Sequence, residues 1–440
     1  MPFAGIFWSI LLVGAYAITA LCFRLLLLPE AELSESVVFG AIFCLFPYAT
    51  DFMTFHLVYP AVICFLLFCG AFLYFCGRGL LATVAVSVGL CFAASYQLFI
   101  PYTLAGILMY SLLRIGRIES GSVNSFRGVY LELKPVFLRV FLFCVCVVVC
   151  LLLGKVVMWV SGVGPGDRVR LVPISQFPEQ AVMLVKQLSY FLLRAEMSIP
   201  IAVKILQLAL LGLCVYGLGM KFYRMNAPLI WRVGLFLAAV GMIFSALCVT
   251  VGPYLLITSH SHGTITPRAM GGFAFFWSGI FAAALTLNGG WLRRVAMGLG
   301  VVLCFSYAMI CNQQSVDFAR INLRDRVVAG MIVERLAGLE GFEGMRTIVY
   351  AGENERFSLG KIDSNTAGFN VSALIRSHAF VPVLLEATGV QFELPKEADF
   401  ERAKALAEGR PVWPRSGSVF IDGGLGVVVM GVVENGERRK

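Results

Sequence analysis

Asp51 and His56 are the residues of this chain best suited to proton transfer. They stand in Asp51-Phe52-Met53-Thr54-Phe55-His56, between two apolar stretches. A carboxylate at such a membrane edge can act as general base toward a hydroxyl, with His56 close in sequence. The same two residues can also cap a short interfacial turn. Tyr96 and Gln97 interrupt a long apolar run. The amide offers a donor and an acceptor, and the ring a stacking face, which suits carbohydrate hydroxyls. A hydrogen bond between helices in lipid uses the same groups. A third group, 259–268, carries His260, His262 and Arg268. A guanidinium grips phosphate through two parallel hydrogen bonds. The two His lack a third ligand nearby, so no metal is expected, and a plain polar external loop accounts for them equally. Arg168 and Arg170 form another cationic spot within 162–179, facing either an anionic headgroup or water. Lys155 and Lys204 stand near helix ends, where long cationic side chains reach for the interface.

The familiar catalytic signatures are missing. The chain has no GxxxxGK[ST], HExxH, GxSxG or paired CxxC. Gly423-Gly424-Leu425-Gly426 lacks the strand–helix setting of a nucleotide loop. No cofactor is expected.

The elements that must hold these residues are membrane helices. Of the 440 residues 59% are hydrophobic and 14% charged, with a mean hydropathy of +0.84. Ordinary soluble domains carry roughly 25% charge. A soluble globular enzyme, a disordered chain and a disulfide scaffold are all excluded. Charge is also unevenly placed: residues 1–311 hold 19 Lys/Arg and 9 Asp/Glu, whereas 312–440 hold 16 and 17. The net charge of +9 therefore belongs to the apolar part. It reads as a positive-inside bias rather than a nucleic-acid footprint, and no nucleic-acid partner is expected. All 13 Cys lie at or before Cys311. Cys144, Cys146 and Cys150 sit among Val, Leu and Phe, where Cys behaves as a small apolar residue. Two domains follow, a multi-span membrane domain over 1–311 and a soluble α/β tail over 312–440. The tail must fold on its own core or on the membrane part.

A bilayer core needs about 20 apolar residues per helix. Segments 4–28, 57–76, 136–161, 199–219, 233–257, 271–287 and 295–311 read as spans, and 37–50 as a shorter or re-entrant one. Segment 80–113 reads as two short helices meeting near Tyr96, because Ser95-Tyr96-Gln97 and Pro101 interrupt it. The total is about ten. Three basic loops set the orientation: Arg114 with Arg117, Arg127 and Lys134; Lys221 with Arg224 and Arg232; and Arg293-Arg294. All three belong in the cytoplasm. Parity then puts the segments near Asp51, Tyr96, Arg168, His260 and Asn312 on the far side, with Met1 and the tail. In the tail, 315–339 and 397–408 read as helices and Thr347-Ile348-Val349-Tyr350 as a strand. Segments 419–421 and 425–433 read as a hairpin turned by Gly423-Gly424.

Several short motifs recur in a familiar order. Phe46-Pro47-Tyr48-Ala49-Thr50-Asp51-Phe52 comes first, then Ser95-Tyr96-Gln97, then Pro267-Arg268 opening an apolar helix. Phe305-Ser306-Tyr307-Ala308-Met309-Ile310-Cys311-Asn312 leads into a charged helix, with Trp413-Pro414 and Gly417-Ser418-Val419 near the end. Over most of its length the chain resembles the type II glucosyl transferase family of bacterial O-antigen modification. The resemblance implies a polytopic, GT-C-like glycosyltransferase of the bacterial inner membrane, with a periplasmic active site and tail. It implies a polyprenyl-phosphate-linked sugar donor, a hexose such as glucose, and a lipid-linked or surface glycan acceptor. Asp51 and His56 then take the catalytic roles. Tyr96, Gln97, Arg168, Arg170, His260, His262 and Arg268 hold the substrates. After its acid the family pattern continues with an Arg and a second acid, where this chain has His56 and Val58. The family also begins with a further helix and an acid-rich external loop. The comparison therefore expects the main catalytic acid to precede these 440 residues, with Asp51 in support. Other readings are a non-catalytic or truncated relative serving as a membrane subunit, and a transporter or flippase of lipid-linked sugar. A flippase calls for repeat symmetry or several charges inside its helices, and neither is visible.

Overall fold

The computed structural model describes residues 2–47, 59–76, 79, 84, 86, 99–119, 126–161, 174–193, 199–251, 271–352, 372, 374 and 377–431. The chain divides into two compact units, Met1–Cys311 and Asn312–Lys440.

The first unit is built of helices: α1 (Pro2–Leu27), α2 (Leu33–Cys44), α3 (Tyr59–Phe75), α4 (Phe99–Arg117), α5 (Phe126–Ser161), α6 (Phe177–Leu193), α7 (Ile201–Arg224), α8 (Leu229–Val251), α9 (Gly272–Leu287) and the start of α10 (Gly290–Ala337). Four stretches, Phe7–Leu27, Ile201–Arg224, Leu229–Thr250 and Gly290–Ala337, are long and apolar enough to cross a bilayer. The chain is a helical membrane protein.

These four, found among the described residues, are fewer than the roughly ten crossings expected from sequence: some apolar segments form shorter helices and others fall partly outside the described residues. Among the described residues α2, α3 and α9 have 12, 17 and 16 residues. Helix α9 shows why brevity is tolerated. Every residue from Gly272 to Leu285 is buried, and the helix packs on α2, α4 and α7. A helix apolar on all sides is one surrounded by protein, so it need not match the lipid thickness itself. Helix α4 starts at Phe99 with Pro101 in its first turn, where the missing N–H breaks no bond. Of the expected partner helix in 80–98, only Val84 and Val86 fall within the described residues.

Helices α1 and α3 approach closely through Gly70. A Cβ there would lie 2.9 Å from the Thr19 Cα. The Thr19 hydroxyl is donated to the carbonyls of Ala15 at 2.7 Å and Leu66 at 2.8 Å, tying the two helices together.

In the second unit, the sequence suggests a span ending at Cys311 and a separate helix over 315–339. One helix, α10, covers both. Asn312-Gln313-Gln314 contains neither Gly nor Pro, so nothing stops the ladder of hydrogen bonds. The sheet has order β1-β3-β2, from β1 (Thr347–Ala351), β2 (Val419–Asp422) and β3 (Leu425–Val429). Strand β1 runs parallel to β3 and β2 antiparallel to it. Gly423 and Gly424, with φ of 52° and 80°, make the hairpin turn, which requires positive φ at both central positions. Two helices, α11 (Ser377–Thr388) and α12 (Glu397–Ala407), pack on β1. Alternate strand residues feed two cores: Ile348 and Val428 join Leu336, Phe380 and Trp413, whereas Val349 and Val427 join Ala403 and Phe420. The tail thus has a core of its own on each face of the sheet.

Candidate functional site

The helix ends of this unit collect in two sets. At the first end Leu28, Glu35, Arg117, Asn288 and Arg293 line one cavity. The C-termini of α1, α4 and α9 and the N-termini of α2 and α10 therefore meet there. Helix α7 joins them, because Asn288 donates its amide to the carbonyls of Leu213 at 3.1 Å and Ala284 at 2.8 Å. Arg293 donates through Nε and Nη2 to Glu35 Oε1 at 2.8 and 2.5 Å. Arg117 donates to the Leu27 carbonyl at 2.7 Å. Arg114 and Arg117 close α4, Lys221 and Arg224 close α7, and Arg293 and Arg294 open α10. The three basic loops thus share one end of the bundle.

The second end is aromatic and close-packed. Phe46, just past α2, lies 6.4 Å from the Phe273 ring and 5.6 Å from that of Tyr307. Tyr102, in the first turns of α4, lies 5.3 Å from Phe65 and 5.9 Å from Phe275. A Cβ on Gly271 would stand 1.5 Å from the Tyr102 hydroxyl, and one on Gly272 would stand 3.3 Å from Thr250 at the end of α8. Only glycine lets the start of α9 slide between α4 and α8 at this point. The C-termini of α2 and α8, the N-termini of α4 and α9 and the middle of α10 all meet here.

Polar side chains enter this end from α7 and α10. Gln207 Nε2 donates to the Tyr307 hydroxyl at 2.6 Å, and both side chains are buried. Lys204, one turn before Gln207, is only 2% exposed. The sequence reading sends Lys204 out to the interface. It is instead enclosed, because it lies on the face of α7 that packs against α8 and α9, while Lys155 is exposed. The buried hydroxyls of Ser111, Thr250 and Ser278 donate to carbonyls of their own helices, whereas those of Thr19 and Thr103 reach across to α3. The Gln207–Tyr307 bond joins two helices across 100 positions, the kind of interhelical hydrogen bond that ties membrane helices together.

Asp51, His56, Tyr96, Gln97, Arg168, Arg170, His260, His262 and Arg268 lie outside the described residues. The described helix ends that flank three of these groups are those of the second set. Asp51 follows Pro47 by four positions, Gln97 precedes Phe99 by two, and Arg268 precedes Gly271 by three. Among the described residues, the only buried carboxylate of the membrane unit is Glu35, at the first end. No group of three or more His, Cys, Asp or Glu forms a metal-sized cluster among them. No family model, curated protein or solved structure matches the chain.

Of this buried polar group the sequence reading passes over Gln207, reads Lys204 as reaching for the interface, and has Tyr307 only as part of a motif. Two weak signals point to them. Gln207 is the one amide side chain in α7, and Tyr307 lies within the Phe305-Ser306-Tyr307 motif.

Proposed function

We propose that this chain is a membrane glycosyltransferase. It moves a hexose, glucose by resemblance, from a polyprenyl-phosphate carrier onto O-antigen or another surface glycan, at the second end of the bundle. The observation that carries this reading is the meeting of helix ends there. The ends that lead to Asp51, Gln97 and Arg268 come together around Phe46, Tyr102 and Gly271, beside the polar Gln207–Tyr307 pair. An apolar carrier tail suits the surrounding bilayer, and its sugar phosphate suits a polar, aromatic helix end. Transfer needs a base for the acceptor hydroxyl and cations for the leaving phosphate. Asp51 with His56 is assigned the first task. Arg268, Arg168, Arg170 and the enclosed Lys204 are assigned the second. Tyr96, Gln97, His260 and His262 are assigned to sugar recognition. A lipid-linked donor requires no nucleotide loop.

About ten crossings and a GT-C-like arrangement belong to the same proposal. So does a bacterial inner-membrane location, with the basic end in the cytoplasm and the tail in the periplasm. Mass spectrometry of lipopolysaccharide from cells with and without the gene tests it. A hexose-sized addition that depends on the gene is the expected result. Identical lipopolysaccharide in both strains would exclude O-antigen as the acceptor, and identical surface glycans of every other kind would exclude transfer and leave the transporter and subunit readings.

A further inference from the structure

The cavity at the first end takes no part in the proposed transfer, and its chemistry is specific. It encloses about 460 Å³. Five helix termini frame it, those of α1, α2, α4, α9 and α10, so it lies where the apolar part of the bundle stops and lipid headgroups begin. Leu28 and Leu285 give it an apolar floor. Its lining carries two Arg and two Glu, at an end of the bundle that also holds Arg24 and Arg114. Glu35 and Arg293 neutralise each other through two hydrogen bonds. That leaves Arg117 and Glu30, whose opposite charges act on each other, with Arg114 as a further cation beside Arg117.

Arg117 is half-buried, and one of its N–H groups is held by the Leu27 carbonyl. A guanidinium has further donors on a planar fork, and phosphate is the anion this fork matches. Glu30 is exposed in the α1–α2 turn, with no ion pair within 4.0 Å among the described residues. Its carboxylate suits an ammonium that can donate hydrogen bonds. A ligand with phosphate and primary ammonium a few bonds apart matches both groups. A purely anionic headgroup meets Glu30 unfavourably, and a quaternary ammonium offers that carboxylate no N–H.

We propose that this cavity binds a phosphoethanolamine group, with its phosphate on Arg117 and its ammonium on Glu30. The occupant is the headgroup of a phosphatidylethanolamine in the adjoining leaflet. The site is independent of the transferase reading.

Delipidated full-length protein, titrated with single lipids and followed by native mass spectrometry, tests the assignment. One phosphatidylethanolamine should bind about tenfold more tightly than phosphatidylglycerol or phosphatidylcholine, the worth of one charge-assisted hydrogen bond. Arg117→Ala should weaken the retained lipid by a similar factor. Glu30→Gln, an exposed change that leaves the packing alone, should abolish the preference over phosphatidylglycerol. Competition by water-soluble glycerophosphoethanolamine would show that the headgroup suffices. Failure to compete, with lipid binding intact, would show that the acyl chains are needed too, and either result supports the site. Equal retention of all three lipids overturns it. So does phosphatidylethanolamine binding that neither substitution alters.

Discussion

At the scale of single residues, the Gln207–Tyr307 bond separates a structural contribution from a functional one. Tyr307→Phe removes an acceptor and leaves the Gln207 amide buried without its partner. Such a loss costs about 1–3 kcal/mol. Gln207→Leu combined with Tyr307→Phe removes both polar groups and should recover much of that stability, because nothing buried is left unsatisfied. Melting of the purified protein in detergent would show the single change below the double one. The double variant is the informative one for function. If Gln207 and Tyr307 contact the sugar, it should melt near wild type yet lose most of its hexose transfer. Lys204 follows a different logic. An enclosed ammonium that meets a phosphate should be replaceable in part by Arg and not at all by Met. Lys204→Met should therefore abolish the hexose addition while Lys204→Arg keeps a fraction of it, at equal protein level. Equal transfer by both variants would take Lys204 out of the site.

At the scale of elements, the pair between α2 and α10 is asymmetric, and that fixes the order of two substitutions. Glu35 is buried, whereas about half of the Arg293 side chain reaches solvent. Arg293→Met strands a buried carboxylate and should cost about 2 kcal/mol, below the cost of breaking a fully buried pair because half of Arg293 already meets solvent. Glu35→Gln keeps an acceptor and leaves Arg293 free to meet water, a loss of about 1 kcal/mol or less. Melting temperatures in detergent should fall in that order, and the reverse order would show that Glu35 is solvated in practice. No spacing rule could have found this pair, because 258 positions separate its members. The same applies to Gln207 and Tyr307. What the sequence made legible was local. The Gly423-Gly424 turn, strand β1 and helix α12 follow from residues next to one another. Helix α11 escaped notice, being 12 residues long with Pro382 inside it. The continuity of α10 escaped notice because a sharp change in composition at Cys311 looks like an element boundary, although no Pro follows there to break the ladder of hydrogen bonds. The lengths of α2, α3 and α9 depend on which neighbours surround them, and hydropathy does not carry that information.

At the scale of the whole molecule, orientation decides which face each site meets. Three basic clusters, at the ends of α4 and α7 and the start of α10, lie at one end of the membrane unit. Clustering of this kind is the strongest single determinant of which loops stay in the cytoplasm. Helix α10 starts at that end with Arg293 and passes Tyr307 at the other before it enters the tail. The proposed orientation, with the basic end in the cytoplasm, has the tail outside the cytoplasm. An alkaline phosphatase joined after Lys440 should be active, and a reporter that works only in the cytoplasm should be silent at the same junction. Fusions in the loop between Arg224 and Leu229 should give the opposite pattern. These two junctions test different things. The loop fusion reports the basic end directly, whereas the tail fusion adds the requirement that α10 crosses. If both junctions scored as cytoplasmic, the orientation of the basic end would stand while α10 would not be a span, and the tail would then lie on the side of the lipid cavity. If both were inverted, Gln207, Tyr307 and Lys204 would face the cytoplasm. A periplasmic glycan could then no longer be the acceptor, and the proposed transfer would have to act on a cytoplasmic sugar chain or be abandoned.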